Sequence, residues 1–226
     1  MEYTNIADMF IRLNEAGCEY VVLRNYDNLL EEEIYMVGHG DIDMLCRDVR
    51  KVVDVIGAET CRPQYGKMGD NVHFYIKYKG QKVSIDIRSV GDGYYCDKWE
   101  NAILSTRIPH KCFYVMNAEN HFYSLIYHAI FQKPMLSNEY QQRLSEMLGK
   151  GLQTESQLID VLEKYMMDHN YRYVYCKDFH VPLRHCMHNK MLCNYTWVER
   201  WPHFKFDMRV NFIALLVNIK HAICRK

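Results

Sequence analysis

The chain has 226 residues with 28 Lys and Arg against 28 Asp and Glu, enough length to bury a sizeable core in one domain or in a domain with a smaller annex. Zero net charge excludes an overall field that would recruit a polyanion, so no nucleic-acid partner is expected. Nine cysteines, an odd number without regular spacing, argue for reduced thiols and against a disulfide framework.

The opening segment "MEYTNIADMFIRL" is acidic and amphipathic. No apolar run reaches the roughly 18 residues of a membrane span, so the expectation is a cytoplasmic chain that does not cross a membrane. Thr4 is the expected cap of a helix running to about Glu15 with Ile6, Met9, Phe10 and Leu13 on one face, ended by Gly17. "EYVVLRN" (19–25) reads as a short buried strand, and the stretch to Gly40, without a sustained period, as a loop leading to a second strand, "DIDMLC" (41–46). Helical spacing follows through Val49, Val52, Val53 and Ile56, and then a hairpin, "VHFYIKYKGQKVSIDIRSV", turning at Lys79-Gly80. This order implies a mixed sheet with helices against it.

After Ser89, "CDKWENAILSTRI" reads as a short helix and "KCFYVM" as a brief strand, with "GDG" (91–93) as a turn. Asn117, Ser137 and the Thr154 of "TESQ" are the expected caps of three further helices, the first stopped by Pro134. The fold class expected is therefore α+β: a small mixed-sheet lobe over residues 1–116 and a mainly helical lobe over 117–226. The last stretch, "RVNFIALLVNIKHAICRK", reads as an apolar helix with a basic end, which docks on the core or touches a membrane peripherally.

On the strand 41–46 a period of two puts Asp41 and Asp43 on one face, about 6.6 Å apart along the chain, while Ile42 and Met44 face the core. In "KVSIDIRS" the same period puts Ser84, Asp86 and Arg88 opposite Val83, Ile85 and Ile87. Clustered carboxylates repel and resist desolvation unless a cation or water reaches them. Three on one polar face suit Mg²⁺ or Mn²⁺, hard cations that bind through a few carboxylates together with substrate phosphates. Asp41, Asp43 and Asp86 are thus the candidate metal ligands and catalytic residues.

A helix and strand leading to a D-x-D strand, with a third acidic residue on a neighbouring strand, resembles the nucleotidyltransferase superfamily of the DNA polymerase beta type over about the first 116 residues. Across most of the chain, "LRNYDNL", "GDIDML", "IDIR", "YHAIFQK" and "YMMDHNYRY" look like a bacterial subgroup associated with cell-surface polysaccharide biosynthesis. The resemblance implies transfer of a nucleoside monophosphate from a nucleoside triphosphate to a small-molecule or glycan-precursor acceptor, with two metal ions. It also implies nucleotide contacts from Arg24, Asn25, Arg88, His128, Lys133 and Tyr140. The superfamily's usual Gly-Ser pair is replaced here by Arg24 and Asn25, which leaves room for a CDP-activated donor of a phospho-alcohol; a non-catalytic, toxin-like protein acting through a partner is the remaining alternative. On either catalytic reading, Asp43→Asn is expected to abolish turnover with little effect on folding, or even a gain in stability from relieved repulsion.

Among other signals, "YCKDFHVPLRHCMHNKMLC" is rich in Cys and His but lacks the paired spacing of a zinc site. Cys18, Cys46 and Cys112 lie in apolar surroundings and read as core.

Overall fold

The computed structural model describes residues 1–32, 35, 41–60, 73–133, 135–174, 208, 212 and 216. In chain order the elements are β1 (Glu2–Tyr3), α1 (Ile6–Glu15), β2 (Tyr20–Val22), β3 (Asp41–Cys46), α2 (Val49–Ile56), β4 (Glu59–Thr60), β5 (His73–Tyr78), β6 (Gln81–Ser89), α3 (Asp97–Ser105), β7 (Ile108–His110), β8 (Phe113–Val115), α4 (Ala118–Phe131), α5 (Asn138–Met147) and α6 (Glu155–Asp168). The strands form one mixed sheet in the order β1-β5-β6-β3-β2-β8-β7, with β4 on β5.

Side-chain parity sorts the sheet into two faces. Tyr20 and Val22, Ile42 and Met44, and Ile85 and Ile87 join α1 and α2 in one core that includes Met9, Phe10, Leu13 and Ile56. The opposite face, through Val21, Leu23 and Leu45, joins Trp99 and Ile103 of α3, Leu125 and Ile126 of α4, Leu144 of α5 and Leu158 and Leu162 of α6. The helices after residue 116 thus share one core with α3 and the strands. Trp99 is fully buried; its Nε1 donates to Asn120 Oδ1 at 2.9 Å, and the Tyr165 hydroxyl donates to the same oxygen at 3.1 Å, tying α3, α4 and α6 together.

Local chemistry explains the element ends. Asn5, not Thr4, caps α1: its backbone is extended and its side chain accepts from the Ala7 N–H, whereas Thr4 lies one residue too early. Asp48, Asn117 and Ser137 cap α2, α4 and α5. Lys79 and Gly80 both have positive φ, 47° and 77°, the two-residue turn that suits a twisted hairpin and opposes Tyr78 to Gln81. The strand β7 has no counterpart among the elements expected from sequence: it is a largely exposed edge pairing only with β8, and Pro109 breaks any alternation. Pro134 and the Cys/His-rich segment 176–193 lie outside the described residues, as does most of the terminal stretch; Met208, Phe212 and Leu216 are helical and exposed. Among the described residues, no helix is long and apolar enough to cross a membrane.

Thr154 and Gln157 exchange reciprocal hydrogen bonds at the start of α6. Thr154→Ala is expected to cost about 1 kcal/mol, read as a lower urea midpoint at constant slope. An unchanged midpoint would show that the box contributes nothing to α6.

Candidate functional site

The parallel pairing of β3 with β6 sets Asp43 directly beside Asp86, and the hairpin register sets His73 beside Asp86 on the other side. Arg24 follows the β2 end next to β3. Three neighbouring strands therefore carry His73, Asp86 and Asp43 side by side, and Arg24, just past the end of β2, reaches Asp43 from the next strand over. Each central carboxylate is drawn to the basic residue on its outer side: His73 Nδ1 lies 2.7 Å from Asp86 Oδ1, and Arg24 Nη2 donates to Asp43 Oδ1 at 2.7 Å. Asp41, two residues earlier on the same face, is exposed, Asp43 is buried, and Leu45 belongs to the helix-covered core. The carboxylates thus sit where the helical layer stops covering the sheet.

Burial raises the pKa of the Asp43 carboxyl, and the neighbouring charges of Asp41 and Asp86 push the same way, against the pull of Arg24. Burial of the Arg24 guanidinium works to lower its pKa, but Asp43 and the hydroxyls of Tyr94 and Tyr95 outweigh it and raise the net value. Arg24 is consequently not an open fork waiting for phosphate; Nη1 donates to the Tyr94 hydroxyl at 2.8 Å while Nη2 holds Asp43. Arg88 is likewise buried, its guanidinium 4.0 Å from the Tyr94 ring centroid and 3.6 Å from the Asp92 carboxylate.

Tyr94 is delivered by the loop between β6 and α3. Gly91 and Gly93 take φ of 88° and 81°, which a side chain would resist, and Asp92 Oδ1 accepts from the Tyr94 N–H at 2.7 Å. The expected "GDG" turn is thus present and carries Tyr94 inward. Glu100 on α3 clamps this loop: its two carboxyl oxygens accept from the N–H groups of Gly91 and Tyr95, at 2.7 and 3.0 Å. Burial, with the Asp92 charge nearby, pushes the Glu100 carboxyl up to about 8.

The facing wall comes from α4 and α5. His128, buried on α4, has Nδ1 3.1 Å from the Tyr94 hydroxyl and 3.0 Å from Gln132 Oε1. Its ring meets that of Tyr140 edge-on at 5.9 Å. Burial lowers the pKa of His128, helped by Arg24 and Lys133, and Tyr140 senses the charges of Arg24, Asp43 and Arg143. Lys133 and Arg143 have no ion pair among the described residues. The structure therefore gathers Arg24, Asp43, Asp86, Arg88, His128, Lys133 and Tyr140 around one margin of the sheet. Asn25, next to Arg24 in the chain, is exposed and has a left-handed φ of 55°.

Among the described residues no three His, Cys, Asp or Glu side chains are gathered to hold a metal ion in this conformation, since Asp43 and Asp86 are turned to Arg24 and His73. Their chemistry nevertheless fits a hard divalent cation: oxygen donors side by side on adjacent strands, with Asp41 two residues along the same face.

Tyr94, Gln132 and His73 are absent from the residues expected to form the site. Two of them had a signal. Counting back from the Lys79-Gly80 turn opposes His73 to Asp86, and Gln132 stands one helical turn after His128. Tyr94 had none, because only the folded loop brings it to Arg24. Comparison with protein-family models, curated proteins and solved structures finds no match for this chain.

Proposed function

We propose that this protein is a divalent-metal-dependent nucleotidyltransferase acting on a small-molecule or glycan-precursor acceptor. The observation that carries the reading is the register of Asp43 against Asp86, on the same face as Asp41, at the margin of the helical layer. Asp41, Asp43 and Asp86 would hold Mg²⁺ or Mn²⁺, which when bound neutralises the charge that develops in phosphoryl transfer. Arg24 holds the Asp43 carboxylate and Tyr94 in place. Lys133, lacking an ion pair among the described residues, is the cation offered to donor phosphates. Asp86 is more exposed than Asp43, and it receives the proton of the acceptor hydroxyl.

One observation favours a second reading. Arg24, at the position where the family's triphosphate contact lies, is occupied by Asp43 and Tyr94, which suits a CDP-activated donor with fewer phosphates to hold. A single product assay separates the two. With Mg²⁺, candidate acceptors and each donor class, pyrophosphate release is expected from a triphosphate, and release of nucleoside monophosphate identifies the CDP-linked donor instead. Neither product with any pair, together with no nucleotide binding, removes both readings.

A further inference from the structure

The two neighbouring carboxylates are held alike, and each keeps one oxygen back. An ionised carboxylate only accepts, so His73 Nδ1 carries the ring hydrogen and donates it to Asp86 Oδ1 at 2.7 Å, just as Arg24 Nη2 donates to Asp43 Oδ1 at 2.7 Å. The second oxygens, Asp43 Oδ2 and Asp86 Oδ2, make no hydrogen bond among the described residues. Neither is a buried atom without a partner, so each touches solvent. The two residues stand in direct register on parallel strands, about 4.8 Å apart across the sheet.

The hairpin places His73 for this contact. Its register opposes His73 to Asp86, and directly opposed residues share a face of the sheet. Phe74, the next residue on β5, belongs to the core, so alternation turns His73 to the polar face. Arg24 holds Asp43 in the same manner but is also tied to the Tyr94 hydroxyl, which makes His73 the cleaner of the two to change.

A carboxylate with one oxygen engaged by an N–H readily gives a cation its other oxygen and gives both with difficulty. Mg²⁺ and Mn²⁺ take single oxygens from a few carboxylates and complete an octahedron with water and phosphate. Ca²⁺ gathers about six to eight oxygens and often draws both from one carboxylate. We propose that His73 is a positioning residue that sets which cation the carboxylate row accepts: by holding Asp86 Oδ1 it leaves that side chain one oxygen to give, which favours Mg²⁺ or Mn²⁺ over Ca²⁺. The assignment rests on the reading above, in which Asp43 and Asp86 hold the cation. His73 acts through Asp86, with Nδ1 already engaged.

The test is Mn²⁺ binding to the full chain, followed by the electron paramagnetic resonance of free Mn²⁺ with Ca²⁺ as competitor, in the parent, His73→Ala and His73→Asn. The asparagine amide puts an N–H near the place of Nδ1, whereas alanine leaves Asp86 Oδ1 free. Alanine is expected to weaken Mn²⁺ binding about tenfold and to move the ratio of Mn²⁺ to Ca²⁺ affinity about fivefold or more toward Ca²⁺. Asparagine is expected to keep that ratio within about twofold of the parent. Urea midpoints in EDTA separate the two roles, because a contact that merely supports the fold lowers the alanine midpoint and leaves the ratio unmoved. That result, or an asparagine variant that behaves like alanine, overturns the proposal. If the ratio moves as expected and no donor and acceptor pair yields product, the His73 assignment stands and the nucleotidyltransferase reading falls. An unmoved ratio in a Mg²⁺-dependent transferase does the reverse, and a parent that binds no Mn²⁺ removes both.

Discussion

Asp43→Asn is expected to reduce turnover by about a thousandfold or more and to destabilise the protein at the same time. The loss of activity follows from removing the charge at the centre of the carboxylate row. The loss of stability corrects what the sequence alone suggests, because Asp43 is not simply one of three repelling charges. It is the partner of a buried guanidinium, at 2.7 Å. Neutralising it leaves the Arg24 cation buried without its counter-ion, at a cost of about 3 kcal/mol, or roughly 6–12 °C of melting temperature for a chain of this size. Relief of repulsion from Asp41 and Asp86 offsets part of that. The double variant Arg24→Met, Asp43→Asn removes both charges and is expected to regain most of the stability while remaining inactive. An Asp43→Asn protein as stable as the parent would mean that repulsion within the row outweighs the ion pair. Near-normal turnover in Mg²⁺ would show that the aspartate is structural.

Stability is expected to fall as pH rises from about 4.5 to about 8, the window set by the ordinary and the folded pKa of Glu100. The sign follows from proton counting. In that window the folded state keeps the proton on Glu100 and the unfolded state has lost it, so raising the pH favours unfolding. The full stabilisation is present below the unfolded pKa and is gone above the folded one, a change of roughly a few kcal/mol. His121, lowered to about 4 by burial and then by Arg143, acts in the opposite direction, as does the lowered His128; each destabilises as pH falls below the ordinary histidine value. Asp43, raised by burial, adds to the Glu100 trend. The difference between the parent and Glu100→Gln isolates the one group. The variant is expected to lose about 1–3 kcal/mol at pH 5, since an amide cannot accept from both N–H groups. Its stability should then fall less steeply toward pH 8. Parallel profiles in urea melts at pH 5, 6.5 and 8 would show that Glu100 is not the source.

The connection between Glu100 and the site is mechanical. The carboxyl clamps the loop at Gly91 and Tyr95, the loop delivers Tyr94, and Tyr94 meets both Arg24 and His128. None of these links is visible in the sequence, where "GDGYYCDKWENA" offers two glycines for a turn and a helix start. The buried glutamate on α3 has no periodic signature that separates it from a solvated one.

Element identity was largely legible because it depends on neighbours within a helical turn or across a tight hairpin. Caps at Asp48, Asn117, Ser137 and Thr154 act over two or three residues, and the period of two in "DIDMLC" and "VSIDIRS" assigns each aspartate to the polar face without reference to any partner strand. The carboxylate row was legible to the same extent: Asp41 with Asp43 by spacing, and Asp86 by parity. What those side chains touch was decided by the tertiary structure. Arg24 reaches Asp43 across 19 residues and Tyr94 across 70, and Tyr94 reaches His128 across 34. The choice of β6 as the parallel neighbour of β3 and the packing of α3 and α4 into one core with Val21, Leu23 and Leu45 set those distances. Burial and counter-charge then fix Asp43 to its guanidinium and His128 to a neutral ring, properties that belong to the assembled site and to no segment of it.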